Sequence, residues 1–192
     1  MTAYLLAGPA QEPVSLAETK VFLRVDGGEE DGLISTLIAA ARLHIESLTN
    51  RVLIEQTWRV VLDCWPPDRI INLPVAPFRA LVQILTYDLE GTSTALALAQ
   101  FQSEAKVAPA RLFLPPAIDG APVLRARGGI EIDYVAGYGV SPQDVPVDLR
   151  QALITLVAYW FEHRDAVLIA GSGSVVPTGF DTLVLAYRTV RL

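Results

Sequence analysis

Hydrophobic residues recur at two different periods along the chain, and the change of period divides it. Ile34, Leu37, Ile38, Ala41, Ile45 and Leu48 return every three or four residues, while Ser35, Arg42 and Glu46 fall off that stripe. This is the spacing of one buried face of a long α-helix. Glu29, Glu30 and Asp31 precede it, where the positive end of the helix dipole favours acid, and Asn50 follows as a left-handed cap. A shorter helix is predicted ahead of it, because Ser15 and Glu18 have the S-x-x-E spacing of a capping box. It runs to about Leu23, before Asp26-Gly27-Gly28, and residues 1–13 are expected to form a loosely patterned lead.

From Val52 to about Val135 the period falls to two. Trp58, Val60 and Leu62 alternate with Arg59, Val61 and Asp63, and further strands are expected over 70–73 and 81–87, with weaker ones over 95–101, 111–114 and 122–125. Ile130, Ile132 and Tyr134 share one face of a last strand, and Glu131 and Asp133 are expected on a solvated face opposite. Short strands separated by proline and glycine predict a small antiparallel sandwich or barrel.

The most apolar segment comes next. Gly137 and Gly139 turn the chain, Pro142 and Pro146 stop any strand, and a helix is predicted from about Pro146 to His163. Leu149, Ala152, Leu153, Leu156 and Trp160 form one stripe of it, and Ile154, Val157, Ala158 and Phe161 a second. Two adjoining stripes predict burial on two sides, so Trp160, Phe161 and Ile154 are expected in the core or at a contact between subunits. Gly171-Ser172-Gly173-Ser174 has the composition of a linker, and the alternation of Leu183, Leu185 and Tyr187 predicts a strand-competent tail. The fold class is therefore α+β: a helical core made of two N-terminal helices and the long apolar helix, an inserted antiparallel β subdomain, and an extended C-terminal arm. The corresponding division is 1–51, 52–140, 141–170 and 171–192.

Composition narrows the chemistry. The 192 residues are 52% hydrophobic and 19% charged, a globular balance. No apolar run approaches the ~20 residues of a membrane span, so no membrane partner is expected, and residues 1–10 lack the basic start of a signal peptide. The single cysteine, Cys64, leaves no internal disulfide or multi-cysteine metal site and is expected to be a small apolar filler beside Trp65. His44 and His163 are far apart and have no ligand spacing around them. Gly171-Ser172-Gly173-Ser174 lacks the lysine of a phosphate loop, and neither serine sits in a nucleophile elbow. No catalytic residue, metal site or cofactor is expected. The alternative reading is a small ligand-binding module or enzyme with a pocket between the β subdomain and the helices.

Several segments in order resemble the head-tail connector (adaptor) proteins of long-tailed bacteriophages and prophage-derived gene-transfer particles, in the subfamily with a β-insertion. They are Pro13 to Glu18 with Phe22 to Asp26, Glu30 to Ile34 through Leu48 to Arg51, Gln56-Thr57-Trp58, Ile71 to Pro77, Tyr134 to Gly139, Val145-Pro146 through Trp160 to Arg164, and Pro177-Thr178-Gly179-Phe180. Asn50 stands where the family often has glycine, and residues 92–127 match no part of it. The resemblance implies a structural protein and not an enzyme: a homo-oligomeric ring, commonly of twelve copies, at the head-tail joint of a virion or phage-like particle assembled in the bacterial cytoplasm. A portal protein lies above such a ring, a stopper or tail-completion protein docks below, and DNA passes through the channel without specific binding. It also implies portal docking by the C-terminal segment, here Tyr187, Arg188, Thr189, Val190, Arg191 and Leu192.

The charge balance yields a first prediction. With 21 acidic against 15 basic side chains, few phosphates can be neutralised. In a gel-shift titration at physiological salt the isolated protein is expected to leave duplex DNA unretarded; tight binding would contradict a passive conduit.

Overall fold

The computed structural model describes residues 1–163 and 176–188. The chain divides into two units, each assembled from two separated stretches.

The first unit comprises Met1–Pro9 and Glu55–Tyr138 and is all β. Its strands are β1 (Thr2–Ala7), β2 (Gln56–Leu62), β3 (Ile70–Leu73), β4 (Phe78–Tyr87), β5 (Ser93–Ala95), β6 (Gln102–Glu104), β7 (Ala110–Phe113) and β8 (Ile130–Ala136). They form a five-stranded sheet in the order β1-β2-β8-β4-β5 and a three-stranded sheet in the order β3-β7-β6, with every pairing antiparallel. β8 is the central strand of the larger sheet. Its Ile130, Ile132, Tyr134 and Ala136 are fully buried, as their alternation predicts. The Tyr134 hydroxyl accepts a hydrogen bond from the Val75 N–H (3.1 Å), and burial pushes the phenol up to about 12.

The opposite face of β8 is not solvated as expected: Asp133 is 2% exposed. The register sets Arg59 of β2 directly across from Asp133, and two parallel hydrogen bonds join them, Nε to Oδ1 at 2.6 Å and Nη2 to Oδ2 at 2.7 Å. Arg59 also reaches Glu131 at 2.6 Å, Gln83 of β4 donates to Asp133 at 2.7 Å, and the Tyr87 hydroxyl donates to Glu131 at 2.9 Å. The Arg125 guanidinium caps the ring of Tyr87 at 4.2 Å. Alternation alone cannot tell a carboxylate facing water from one facing an arginine on the next strand.

Four further expectations change in this unit. Residues 1–9 are not a lead to the helices, because β1 pairs along β2, with Tyr4 opposite Arg59. β1 is exposed at every position except the half-buried Ala3, so its sequence needs no alternation. The strand expected over 95–101 stops at Ala95 and gives way to a 3₁₀ turn at Leu98–Gln100, and 122–125 forms no strand, with Pro122 lacking an N–H donor. Cys64 is exposed rather than packed as filler, lying in the bend after β2.

The second unit, Ala10–Ile54 with the described part of Gly139–Leu192, is helical: α1 (Leu16–Leu23), α2 (Asp31–Thr49), α3 (Val147–Glu162) and α4 (Phe180–Leu185). Half of the expected capping box forms. The Ser15 hydroxyl accepts the Glu18 N–H (3.1 Å), while the Glu18 carboxylate turns to Arg150 of α3 at 2.7 Å. Asn50 adopts the left-handed cap at φ 57°. Gly139 admits no side chain, because a Cβ there would collide with the Asp144 carboxylate that accepts from the Ser141 N–H. Packing joins α2 to α3, α3 to α4, and α1 to both α2 and α3.

Arg42 and Glu46 lie inside this unit rather than off its buried face. Arg42 is 8% exposed and binds Glu12 (2.8 Å) and Glu46 (3.1 Å), whose other oxygen accepts the Leu53 N–H. The tail expected to be strand-competent is the helix α4 over 180–185. Phe180 and Val184, four residues apart, are buried, and Leu185 is exposed. The helical period wins there because Phe180 supplies the anchor that the alternation of 183–187 leaves out. The linker expected at 171–174 lies outside the described residues.

The Arg59–Asp133 pair yields the second prediction. Burial alone would raise the Asp133 carboxyl, but the hydrogen bonds from Arg59 and Gln83, with the charge of Arg59, outweigh it and hold it below the ordinary carboxylate range. A depressed folded value stabilises the fold above the unfolded value, near 3.9, and that stability is lost as pH falls through the folded one. Urea titrations should show Asp133→Ala destabilised by about 3 kcal/mol at pH 7, with the gap from wild type narrowing below pH 4. An unchanged midpoint at pH 7 would refute this.

Candidate functional site

One of the residues singled out in the sequence as contact residues, Trp160, lies in an aromatic cluster drawn from α2, α3 and α4. Trp160 of α3 is 5% exposed and presents its ring edge-on to His44 of α2, with centroids 5.8 Å apart and planes at 76°. His44 also lies 5.9 Å from the ring of Phe180, the first residue of α4. Trp160 and Ile154, the latter 7% exposed, are thus core residues of this unit. Phe161, on the second stripe, is only half-buried.

Of the six residues expected to dock on the portal, two are placed and both are engaged within the chain. The Tyr187 carbonyl accepts from the Arg51 Nε at 3.0 Å, and Arg188 pairs with Asp181 at 2.6 Å. Thr189, Val190, Arg191 and Leu192 lie outside the described residues. Phe180 and Arg51, which fasten α4 and the turn after it, were not recognised as contact residues. Phe180 entered only through the Pro177-Thr178-Gly179-Phe180 motif, and a side chain bonding a backbone carbonyl leaves no trace in sequence.

The electrostatics of this cluster are asymmetric. Burial lowers the proton affinity of His44, and the positive charge of Arg188 lowers it further, against a smaller opposite effect of Asp181. His163, at the end of α3, stacks on Tyr159 at 4.4 Å, which fits a helix-terminating role. Among the described residues no group of three or more His, Cys, Asp or Glu side chains could hold a metal ion, and no helix is long and apolar enough to cross a membrane. The β unit has a groove of 390 Å³ lined by Trp65, Pro66, Arg69, Leu114 and Pro115 among others. Arg69 is its sole ionisable lining residue, so it carries no nucleophile or acid-base pair.

The fold is thus a helical unit built on α2 and α3 together with a β unit of two antiparallel sheets. Residues 13–95 match the family described as phage gp6-like head-tail connector protein. The chain is also similar to solved structures. One, described as the neck of an empty gene transfer agent (GTA) particle computed with C6 symmetry, shares 29% identity at a TM-score of 0.82, covering 100% of this chain and 97% of that one. A chain from the virion of a native GTA particle shares 28% identity at a TM-score of 0.81, and one from the neck of a native GTA particle computed with C12 symmetry 28% at 0.79, with the same coverage. No curated protein matches the chain. The resemblance to head-tail connectors carried by the sequence motifs is thus shown independently, and the mixed α+β fold is that of a GTA neck protein.

Two measurements check the cluster. Trp160→Ala is expected to cost about 3 to 5 kcal/mol, whereas Phe161→Ala costs clearly less in the same denaturation assay; equal costs would contradict the assignment of core and periphery. For His44, a folded proton affinity below the unfolded one means stability is complete above the unfolded value, near 6.5, and declines as pH falls towards the folded one. His44→Gln should flatten the wild-type loss of melting temperature below pH 6.5.

Proposed function

We propose that this protein is the head-tail connector, or adaptor, of a phage-like particle: a structural ring at the head-tail joint that lengthens the DNA channel. The observation that carries the reading is full-length similarity to chains of GTA necks, at 29% identity over 100% of this chain and 97% of that one. The C6 and C12 symmetries of those necks support an oligomeric ring. A closed ring requires a heterologous contact, one patch of each copy against a different patch of the next.

The finer assignments are twelve copies, a portal protein above and a stopper or tail-completion protein below. Twelve copies fit the C12 neck. A net charge of −6 suits a conduit that DNA passes without adhering. We assign portal docking to Thr189, Val190, Arg191 and Leu192, with Arg191 set against portal carboxylates. Tyr187 and Arg188, held by Arg51 and Asp181, fix the point from which this segment starts. The ligand-binding or enzymatic alternative has no observation in its favour.

A chain ending at Arg188 tests the docking assignment, because it keeps the Phe180 anchor and both of those contacts. It should melt as the full chain does, yet fail to join portal-bearing heads, so that electron microscopy finds heads without tails. Normal particles from the shortened chain would overturn the assignment.

A further inference from the structure

The five-stranded sheet ends in β1 on one side and β5 on the other. Natural sheets usually protect such edges with charge, proline, a bulge or a covering element, because an edge exposes a row of unpaired backbone donors and acceptors. The free part of the β4 edge is protected in this way. β5 covers it from Leu85 to Tyr87, and the rest carries two register irregularities and Arg79, already paired with Glu55. β1 and β5 are different. Thr2–Ala7 contains no charge and no proline, leaves Tyr4, Leu5 and Leu6 each more than 40% exposed, and pairs regularly up to Leu5. Ser93–Ala95 is likewise uncharged and in regular register.

We propose that β1 of one copy adds to β5 of the next, so that the sheets of neighbouring subunits run on into one another around the ring. This rests on the ring reading above. Two observations select this occupant. The edges are electrically compatible, since neither bears an ion that joining them would strip of water. Their directions also agree. All four pairings in the sheet are antiparallel, so β1 and β5 run the same way. The seam is therefore parallel, and it is heterologous, as ring closure requires.

Cysteine pairs test it in a Cys64→Ser background. Ala3 and Thr94 lie on the same face of the sheet, in the rows of Ile132 and Ile130. Rings of the full chain carrying both Ala3→Cys and Thr94→Cys, alone or on portal-bearing heads, should on mild oxidation give a ladder of covalent multimers, and either single variant none. Leu5→Cys with Thr94→Cys, two residues along on the same face, covers a slip in register. Leu5→Lys, at a 46% exposed position, should leave melting unchanged and abolish rings. Dimers from Ala3→Cys alone, or rings in which neither pair cross-links, would overturn the seam while leaving the ring intact. Failure of the unmodified chain to form any ring, alone or on heads, would instead overturn the ring reading, and the seam with it.

Discussion

The β unit depends on one carboxylate withdrawn from water. Asp133 sits in the central strand with 2% of its surface exposed, and Arg59 and Gln83 meet it from the strands on either side. Because side chains on a strand alternate, a slip of one residue would turn Asp133 into the apolar row of Ile132 and Tyr134 and bring an isoleucine to Arg59. The ion pair therefore acts on register more than on net stability, since desolvation offsets much of what two buried charges gain from each other. With β8 locked, β2 and β4 take fixed positions beside it, and β1 and β5 become the two ends.

The helical unit is held differently. Its long helices bury apolar stripes, and the charged residue buried among them, Arg42, fastens Glu12 ahead of α1 to Glu46 in α2. His44, Trp160 and Phe180 then secure the short α4. A six-residue helix has little stability of its own, so its place depends on that aromatic contact. This makes the cluster the foundation for whatever the last residues do.

Much of this could be read from the chain alone, for identifiable reasons. α2 and α3 were legible because sixteen or more residues at one period leave no competing register. Asn50 and Ser15 were legible because caps have their own residue preferences. β1 was not, because an edge exposed on both faces has no pattern to display. α4 was not, because Leu183, Leu185 and Tyr187 alternate while the residues that decide the matter, Phe180 and Val184, stand four apart. In the candidate site, Trp160 and Ile154 followed from helix periodicity, but the engagement of Tyr187 by Arg51 involves a main-chain oxygen that every residue possesses.

The chain passes between the two units at residues 9–10, 54–55 and 138–139, so neither is a continuous piece of sequence. During synthesis β1 leaves the ribosome about fifty residues ahead of β2, its partner in the sheet. Domains generally fold as units as they emerge, yet here the sheet cannot close until β8 is made, and the helical unit cannot close until α3 and then α4 arrive after it. Throughout that interval β1 is an uncharged strand with both edges open, the same property that lets a finished copy accept a neighbour. Premature pairing between nascent chains is therefore the characteristic hazard of this architecture, and the order of translation sets how long it lasts.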